Sequence, residues 1–252
     1  MRIVNCALIS TFLIVLFSNT QAFADTSYSN SVNWSGYVAT GRTFNKIQGD
    51  ITVPTVTCTS PNAQVLFWIG LDGFSNSTLE QVGVGAQCNG TSTPTYFGWW
   101  EMINGNSGNE IHKVAATQLK IVPGNKINCL VAAISHSNYF TLQLYNSTTR
   151  QKLTSLTEGG YATQRQSAEW IAERPLINGT QYSPLAKWSN VPTLFTAADY
   201  TTSTNSKYQP LSSANLISLY MISAKTNWHA LDEAQDIGAN GTTFQASWVS
   251  TN

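Results

Sequence analysis

Residues 138–146, NYFTLQLYN, decide the fold class. Phe140, Leu142 and Leu144 alternate with polar side chains, which is the period of two that a β-strand with one buried face requires. No stretch predicts an amphipathic helix longer than two turns. Similar runs, rich in β-branched and aromatic residues and bounded by turn formers, recur at 34–40, 50–56, 64–71, 95–103, 112–122, 167–173 and 242–249. Many strands without intervening helices predict an all-β sandwich or jelly roll.

The composition excludes several classes of function. Of 252 residues only 10% are charged, where soluble domains carry roughly 25%. The thirteen basic residues balance thirteen acidic ones, so a nucleic-acid partner or electrostatic docking to anionic lipid is not expected. A surface solvated by Ser, Thr, Asn and Gln depends little on pH, and the composition therefore permits work in acid.

The N-terminus predicts export. Residues 7–17 form an apolar run, and Ala22-Phe23-Ala24 is typical of a signal-peptidase site. The run is shorter than the roughly 20 residues that span a bilayer. We therefore expect a signal peptide at 1–24, one domain at 25–252, and a secreted (extracellular or periplasmic) monomer without a membrane anchor. The Thr/Ser/Asn-rich stretch 198–213 predicts a long loop within this domain.

Export permits disulfide bonds. Loss of Cys6 leaves Cys58, Cys88 and Cys129, so at most one pair forms. Cys129 lies within the apolar strand-like run KINCLVAAI, and this pattern predicts that its small side chain is buried. We expect a Cys58–Cys88 bond, whose loop of about 30 residues contributes about 3 kcal/mol on the loop-entropy model.

The catalytic options are few. The sequence has no CxxC or HExxH motif, and its three histidines are scattered, so no metal site or other cofactor is expected. A GxSxG elbow is also missing, and the one remaining thiol lies within a strand. Carboxylates therefore carry any acid-base chemistry, and the candidates are Asp72, Glu80, Glu101, Glu158, Glu169 and Glu173.

Two segments concentrate polar groups within apolar strands. In the first, 67–73 (FWIGLDG) ends in Asp72, and the chain returns as a strand at 78–83 with Glu80 and Gln81 on opposite faces, so that one of them points inward. In the second, 166–175 (QSAEWIAERP), Glu169 shares a face with Ile171. Its apolar neighbours desolvate Glu169, and this raises a carboxyl pKa.

These segments resemble the eqolisins, or glutamic endopeptidases, and the resemblance runs over nearly the whole mature chain. The ordered set of motifs is more specific than any one of them. It comprises NWSG (33–36), WxGxDG (68–73), EQxG (80–83), WWEM (99–102), SAEW (167–170) and NGTTFQASW (240–248).

The resemblance implies a concanavalin-like sandwich of two curved antiparallel sheets that cleaves polypeptides with a Gln/Glu dyad. The family's Gln falls on Gln81 and its Glu on Glu169. Trp34, Trp68 and Asp72 match positions that line or support the site, and the aromatic block adds Trp99, Trp100 and Glu101. Trp100 stands where fungal members have Tyr, and Gly85 stands where the family usually has an acid.

The chemistry of these two side chains fits peptide hydrolysis. Glu169 as a carboxylate could deprotonate the attacking water and return the proton to the leaving amine, while the Gln81 amide donates to the oxyanion. This cycle requires that Glu169 stay partly ionised in acid. Asp72 could hold a proton and donate a hydrogen bond, or remain an acceptor, and the sequence leaves both open.

Two rival functions remain on the same architecture. A glycoside hydrolase or lyase would use two carboxylates roughly 5–10 Å apart, such as Glu169 with Glu101 or Asp72, beneath Trp platforms. A non-catalytic carbohydrate-binding module would use exposed Trp and Asn side chains. The fold alone does not separate these functions.

Overall fold

The computed structural model describes residues 26–90, 93–105, 110–153, 156–159, 161–177, 180–192, 194–223 and 229–251. The predicted signal peptide lies outside these residues. Within them, no helix is long and apolar enough to cross a membrane.

Nearly all regular structure in this part of the chain is β-strand. The strands up to residue 152 are β1 (Thr26–Ser31), β2 (Trp34–Thr40), β3 (Phe44–Thr52), β4 (Val56–Thr57), β5 (Gln64–Asp72), β6 (Thr78–Cys88), β7 (Pro94–Asn104), β8 (His112–Lys113), β9 (Lys126–Ala133), β10 (Tyr139–Asn146) and β11 (Gln151–Lys152). The later strands are β12 (Leu156–Gly159), β13 (Ala168–Glu173), β14 (Leu176–Ile177), β15 (Gln181–Tyr182), β16 (Lys187–Trp188), β17 (Phe195–Thr202), β18 (Gln209–Pro210), β19 (Asn215–Ile222), β20 (Ala230–Ala234) and β21 (Ala246–Trp248). A single 3-10 turn covers Leu211–Ser213.

Two large sheets form the sandwich, which confirms the predicted fold class. The ten-stranded sheet has the order β21-β20-β19-β2-β13-β5-β6-β7-β8, with β1 beside β19. The seven-stranded sheet has the order β11-β10-β9-β3-β17-β18, with β12 beside β10. The named strands pair antiparallel except β1 and β19, which run parallel.

The main core lies between the two sheets. On β10, Phe140, Leu142 and Leu144 are buried, as their alternation predicts. They belong to one apolar cluster with Phe67 and Ile69 of the opposite sheet. At about 25 cal/mol per Å² of apolar surface, this burial is the main stabilising contribution.

A second apolar cluster covers the other side of the ten-stranded sheet, which we call the outer face. It contains Val38, Trp68, Trp99 and Ile171 among others, and both tryptophans are fully buried. No second sheet covers this face among the described residues, so the sheet must curve around its own side chains to bury them. Two cavities open on this face, lined by Trp34, Phe74, Ile217 and Leu219 among others, and we call the outer face with these cavities the groove.

The cysteines behave as predicted. Cys58 and Cys88 form a disulfide with Cα atoms 5.7 Å apart, which closes a loop of 30 residues. Cys129 is a buried free thiol on β9.

Two predictions of secondary structure are wrong in part, one of a loop and one of a strand. Residues 198–202 belong to β17 and are not a loop, because they pair with β3 and bury Ala198 and Tyr200 on one side. Conversely, the predicted strand 112–122 ends at Lys113. The amides of Gln118 and Leu119 both donate to the Ala115 carbonyl, and this turn replaces ladder pairing.

Candidate active site

A single row of cross-strand neighbours holds the candidate dyad on the outer face. Glu169 on β13 lies opposite Gly70 on β5, Gly70 lies opposite Gln81 on β6, and Gln81 lies opposite Glu101 on β7. Directly paired residues point to the same side of a sheet. With one strand between them, the Cα atoms of Glu169 and Gln81 are roughly 10 Å apart. Two side chains of this length can meet over a small group between them.

Gly70 leaves the space between the two side chains open. A Cβ at this position would lie 2.9 Å from Leu79 Cδ1 and 3.0 Å from both the Glu80 carbonyl oxygen and Trp68 Cζ3. No side chain therefore projects between Glu169 and Gln81.

Glu169 is fully buried, and its environment favours the neutral carboxyl. Among the described residues, neither of its carboxylate oxygens has a hydrogen-bond partner. Burial raises the pKa of Glu169 well above its usual value. The Ser167 hydroxyl opposes this shift, and the negative charges of Asp72 and Glu80 add to it. The Ser167 hydroxyl lies near the carboxyl but outside hydrogen-bond geometry, since Ser167 Oγ has no partner among the described residues either, so both Glu169 oxygens can accept a hydrogen bond from a substrate or a reacting water.

Gln81 is held by a neighbouring acid. Its Nε2 donates to Glu101 Oε2 at 2.8 Å, whereas its Oε1 has no partner in the described part of the chain. Burial raises the pKa of Glu101 to about 7, and the hydrogen bond from Gln81 acts in the opposite direction. One N–H and the carbonyl oxygen of Gln81 thus remain available. As predicted, Glu80 and Gln81 lie on opposite faces, since Glu80 lies opposite Leu71 of the main core.

The comparisons with known proteins bear on this geometry. A model of the peptidase A4 family matches residues 32–236. The chain belongs to the peptidase A4 family. This peptidase is also similar to two solved structures. One is scytalido-glutamic peptidase with a transition-state analogue inhibitor, at a TM-score of 0.69 and 24% identity, covering 86% of this chain and 98% of that chain. The other is SCP-B, an eqolisin in complex with the tripeptide Ala-Ile-His, at a TM-score of 0.67, with the same identity and coverage. No curated protein matches it.

Trp34 lines a cavity of the outer face, and the fully buried Trp68 packs behind it. Trp34 and Trp68 meet edge to face with ring centroids 5.0 Å apart. Trp68 Nε1 donates to Glu173 Oε2 at 2.7 Å, and Asn33 Nδ2 donates to the other oxygen at 3.3 Å. Desolvation raises the pKa of Glu173 to about 7, against the hydrogen bond from Trp68. The sequence gives Glu173 as one of six candidate carboxylates, on the face of Glu169, but assigns it no role, and the structure places it beneath Trp68 as a hydrogen-bond acceptor.

Asp72 organises the loops around the site of this peptidase. Its carboxylate accepts hydrogen bonds from the backbone amides of Gln164, Arg165 and Gln166. Asn76 Nδ2 and Thr78 Oγ1 also donate to it. Five donors converge on this group, so it acts as an acceptor. Asp72 therefore joins the β5–β6 turn to the segment that precedes β13.

The aromatic block of β7 is divided between the two faces. Trp99 lies opposite Gly83 on the outer face, in the row next to Gln81. Trp100 points the other way, packs against the main core and stacks on His112 at 4.0 Å. Strand alternation allows only Trp99 and Glu101 to share the face of Gln81, so Trp100 can affect the groove only through β7. In the described residues, no three His, Cys, Asp or Glu side chains are arranged to hold a metal ion.

Proposed function

We propose that this peptidase is a secreted endopeptidase that acts in acid and uses Glu169 and Gln81 as its catalytic pair. The observation that carries the proposal is the row Glu169–Gly70–Gln81, in which both Glu169 oxygens and Gln81 Oε1 lack a hydrogen-bond partner within the described part of the chain. A fixed pair of this kind can bind one water molecule and one peptide carbonyl between its members.

The raised pKa of Glu169 changes the starting state that we expected from the sequence. In acid the carboxyl carries a proton on one oxygen, and the other oxygen is an acceptor. Water held by that acceptor and by Gln81 Oε1 attacks the peptide carbon and passes a proton to Glu169. At the same time Glu169 gives its own proton to the carbonyl oxygen. The product is a neutral tetrahedral diol, and Glu169 is again protonated.

The second half of the cycle breaks the peptide bond. Glu169 donates its proton to the leaving nitrogen and receives one from a hydroxyl of the diol, while the C–N bond breaks. The free N–H of Gln81 donates to the tetrahedral oxygen in both steps. A donor in this role contributes about 3–4 kcal/mol to the transition state. Glu101 keeps the amide in the required orientation through its hydrogen bond with Nε2.

Proteolysis of denatured casein or haemoglobin from pH 2 to 7 tests the proposal. Wild type is expected to cleave in the acid range, Glu169→Gln to be inactive, and Gln81→Ala to lose about 10²- to 10³-fold in kcat. Glu158→Gln, on the other sheet, is the matched control and should retain activity. Full proteolytic activity of Gln81→Ala would contradict the dyad. A sugar hydrolase would instead retain most of its activity towards a polysaccharide when Gln81 is replaced by Ala. A binding module would cleave nothing.

Secretion as a monomer belongs to the same proposal. The predicted signal sequence and the Cys58–Cys88 bond support it, because such bonds persist in oxidising compartments. N-terminal sequencing and light scattering of protein exported by an expressing cell should give a monomer that begins near Asp25. A cell-retained product that begins at Met1 would contradict export.

A further inference from the structure

Two cavities lie on the outer face, and Phe74 borders both. The larger, of about 700 Å³, is lined by Phe74 together with Thr40, Arg42, Gln166 and Ile217 among others. The smaller, of about 290 Å³, is lined by Phe74 together with Trp34 and Leu219. Phe74 is half-buried against the apolar cluster of this face. It therefore forms a partition between two hollows in the same groove.

The larger cavity lies along the same row of the sheet as the catalytic pair. Phe74 belongs to the turn that follows β5 and shares the larger cavity with Ile217 on β19. Ile217 lies opposite Val38 on β2, and Val38 lies opposite Glu169 on β13. In the sheet order, β13 with Glu169 lies between β5 and β2. Ile217 is therefore two strands from Glu169 on the same face, with Cα atoms roughly 10 Å apart, so a peptide that crosses Glu169 along this row reaches the larger cavity.

The two cavities differ in charge. Arg42 is the only ionisable side chain among the described residues that line the larger cavity, and the smaller cavity has none. Arg42 is exposed and forms no ion pair with another described residue. Its charge is thus available to a ligand in a cavity whose remaining walls are mostly hydroxyl and amide groups.

We propose that the larger cavity is a substrate subsite that prefers an acidic side chain, recognised by Arg42 and bounded by Phe74. The occupant follows from charge complementarity, because a guanidinium pairs with a carboxylate, and from size, because the cavity can hold a glutamate with its hydration. This proposal rests on the proposed function, since it assumes that a peptide lies across Glu169.

Binding to the inactive Glu169→Gln variant tests the subsite without requiring turnover. Rhodamine-labelled peptides that carry Glu or Gln at one scanned position are titrated by anisotropy at pH 3 and pH 5.5. At one position the Glu peptide should bind about two- to five-fold more tightly than the Gln peptide at pH 5.5, which is the range for a partly exposed ion pair. At pH 3 the peptide carboxyl is protonated, and the preference should disappear.

Variants at Arg42 in the same background decide the source of the preference. Arg42→Lys should keep it, Arg42→Gln should abolish it, and Arg42→Glu should reverse it. Phe74→Ala should weaken it by joining the two cavities, whereas Phe74→Leu should not. An unchanged Glu-to-Gln ratio in Arg42→Gln and Arg42→Glu would overturn the subsite. Failure of wild type to cleave these peptides would instead count against the proposed function. The ratio of Glu-peptide to Gln-peptide affinity would still show whether the larger cavity prefers an acidic side chain.

Discussion

At the scale of single residues, the protonation of Glu169 sets the direction of the pH dependence. Burial and the nearby charges of Asp72 and Glu80 all favour the proton, and only the Ser167 hydroxyl opposes them. The catalytic cycle needs the protonated carboxyl at its start. Activity should therefore be present in acid and fall as the pH rises through the pKa of Glu169, which lies well above 4.5.

Glu80→Gln provides a test of this assignment. It removes a negative charge near Glu169 but leaves the outer face unchanged, because Glu80 lies on the core side of β6. The pKa of Glu169 should fall, and the falling limb of kcat/KM against pH should move to lower pH. The limb is measured with a fluorogenic peptide, with Glu158→Gln as the control. A limb that rises with pH would show that the ionised carboxylate is the active form. A falling limb that stays in place or moves to higher pH in Glu80→Gln would show that the charge of Glu80 does not set the pKa of the group that controls activity.

Gly70 is the second residue whose replacement tests the site. Because it has no side chain, the space between Glu169 and Gln81 stays open. In Gly70→Ala the new methyl meets Leu79, the Glu80 carbonyl and Trp68 at 2.9–3.0 Å. We expect kcat to fall at least tenfold, and overpacking should cost about 1–3 kcal/mol of unfolding free energy.

Gly98→Ala is a matched control for that experiment. Its methyl would lie 2.8 Å from Leu119 Cδ2, within the main core and away from the groove. A similar loss of stability with retained kcat is expected for this variant. If the two variants lose activity equally, the effect of Gly70→Ala is on folding and not on the site.

At the scale of elements, strand alternation explains how much of the site the sequence predicted. The period of two predicted that Glu169 and Trp170 point to different faces of their strand, and that Gln81 and Glu80 do the same on theirs. The structure has both arrangements. It also separates Trp100 from Glu101, which we grouped because they are adjacent in sequence. The pairing partners of a strand depend on contacts distant in sequence, so the row that joins Glu169 to Gln81 could not be derived from either strand alone.

The errors at element boundaries have a related cause. Composition predicted a loop at 198–213, but threonine is also a β-branched strand former, and pairing with β3 decides between the two. At 112–122 the apolar pattern is real, because Val114, Leu119 and Ile121 are buried. A turn at Ala115 buries them without a ladder, and single-sequence periodicity does not detect such a turn.

Asp72 is the element-scale test, since it connects the β5–β6 turn to the start of β13. Asp72→Ala leaves three backbone amides without their acceptor, and we expect a loss of about 2–4 kcal/mol in urea-induced unfolding. Asp72→Asn keeps one acceptor oxygen and should lose less. Activity should fall in the same order, because the turn carries Phe74 and the segment leads into Glu169. Equal stability of wild type, Asp72→Ala and Asp72→Asn would show that the hydrogen bonds to Asp72 do not stabilise the loop conformation.

At the scale of the whole molecule, carboxyls with raised pKa values make the free energy of unfolding larger in acid than at neutral pH. Among the described residues, six carboxyls have raised pKa values, and in each case burial is the largest cause: Glu80, Glu101, Glu169, Glu173, Asp199 and Asp232. A carboxyl with a higher pKa in the folded state binds its proton more tightly when folded. Its contribution to stability is complete below the pKa of the unfolded chain, and it is lost as the pH rises through the folded pKa. The free energy of unfolding should therefore decrease from about pH 4 to above pH 7.

Asp232 allows this dependence to be measured away from the catalytic pair. It lies on β20, fully buried, with neither oxygen partnered among the described residues, and burial raises its pKa from 3.8 to about 7 against the nearby Ser35 hydroxyl. That shift corresponds to on the order of 4 kcal/mol between those pH values. Asp232→Asn should match wild type in urea unfolding at pH 4 and exceed it at pH 8, whereas the exposed Asp236→Asn should follow wild type throughout. Parallel curves for wild type and Asp232→Asn would mean that Asp232 has the same pKa in the folded and unfolded protein, and the pH dependence would then have to come from the other carboxyls with raised pKa values.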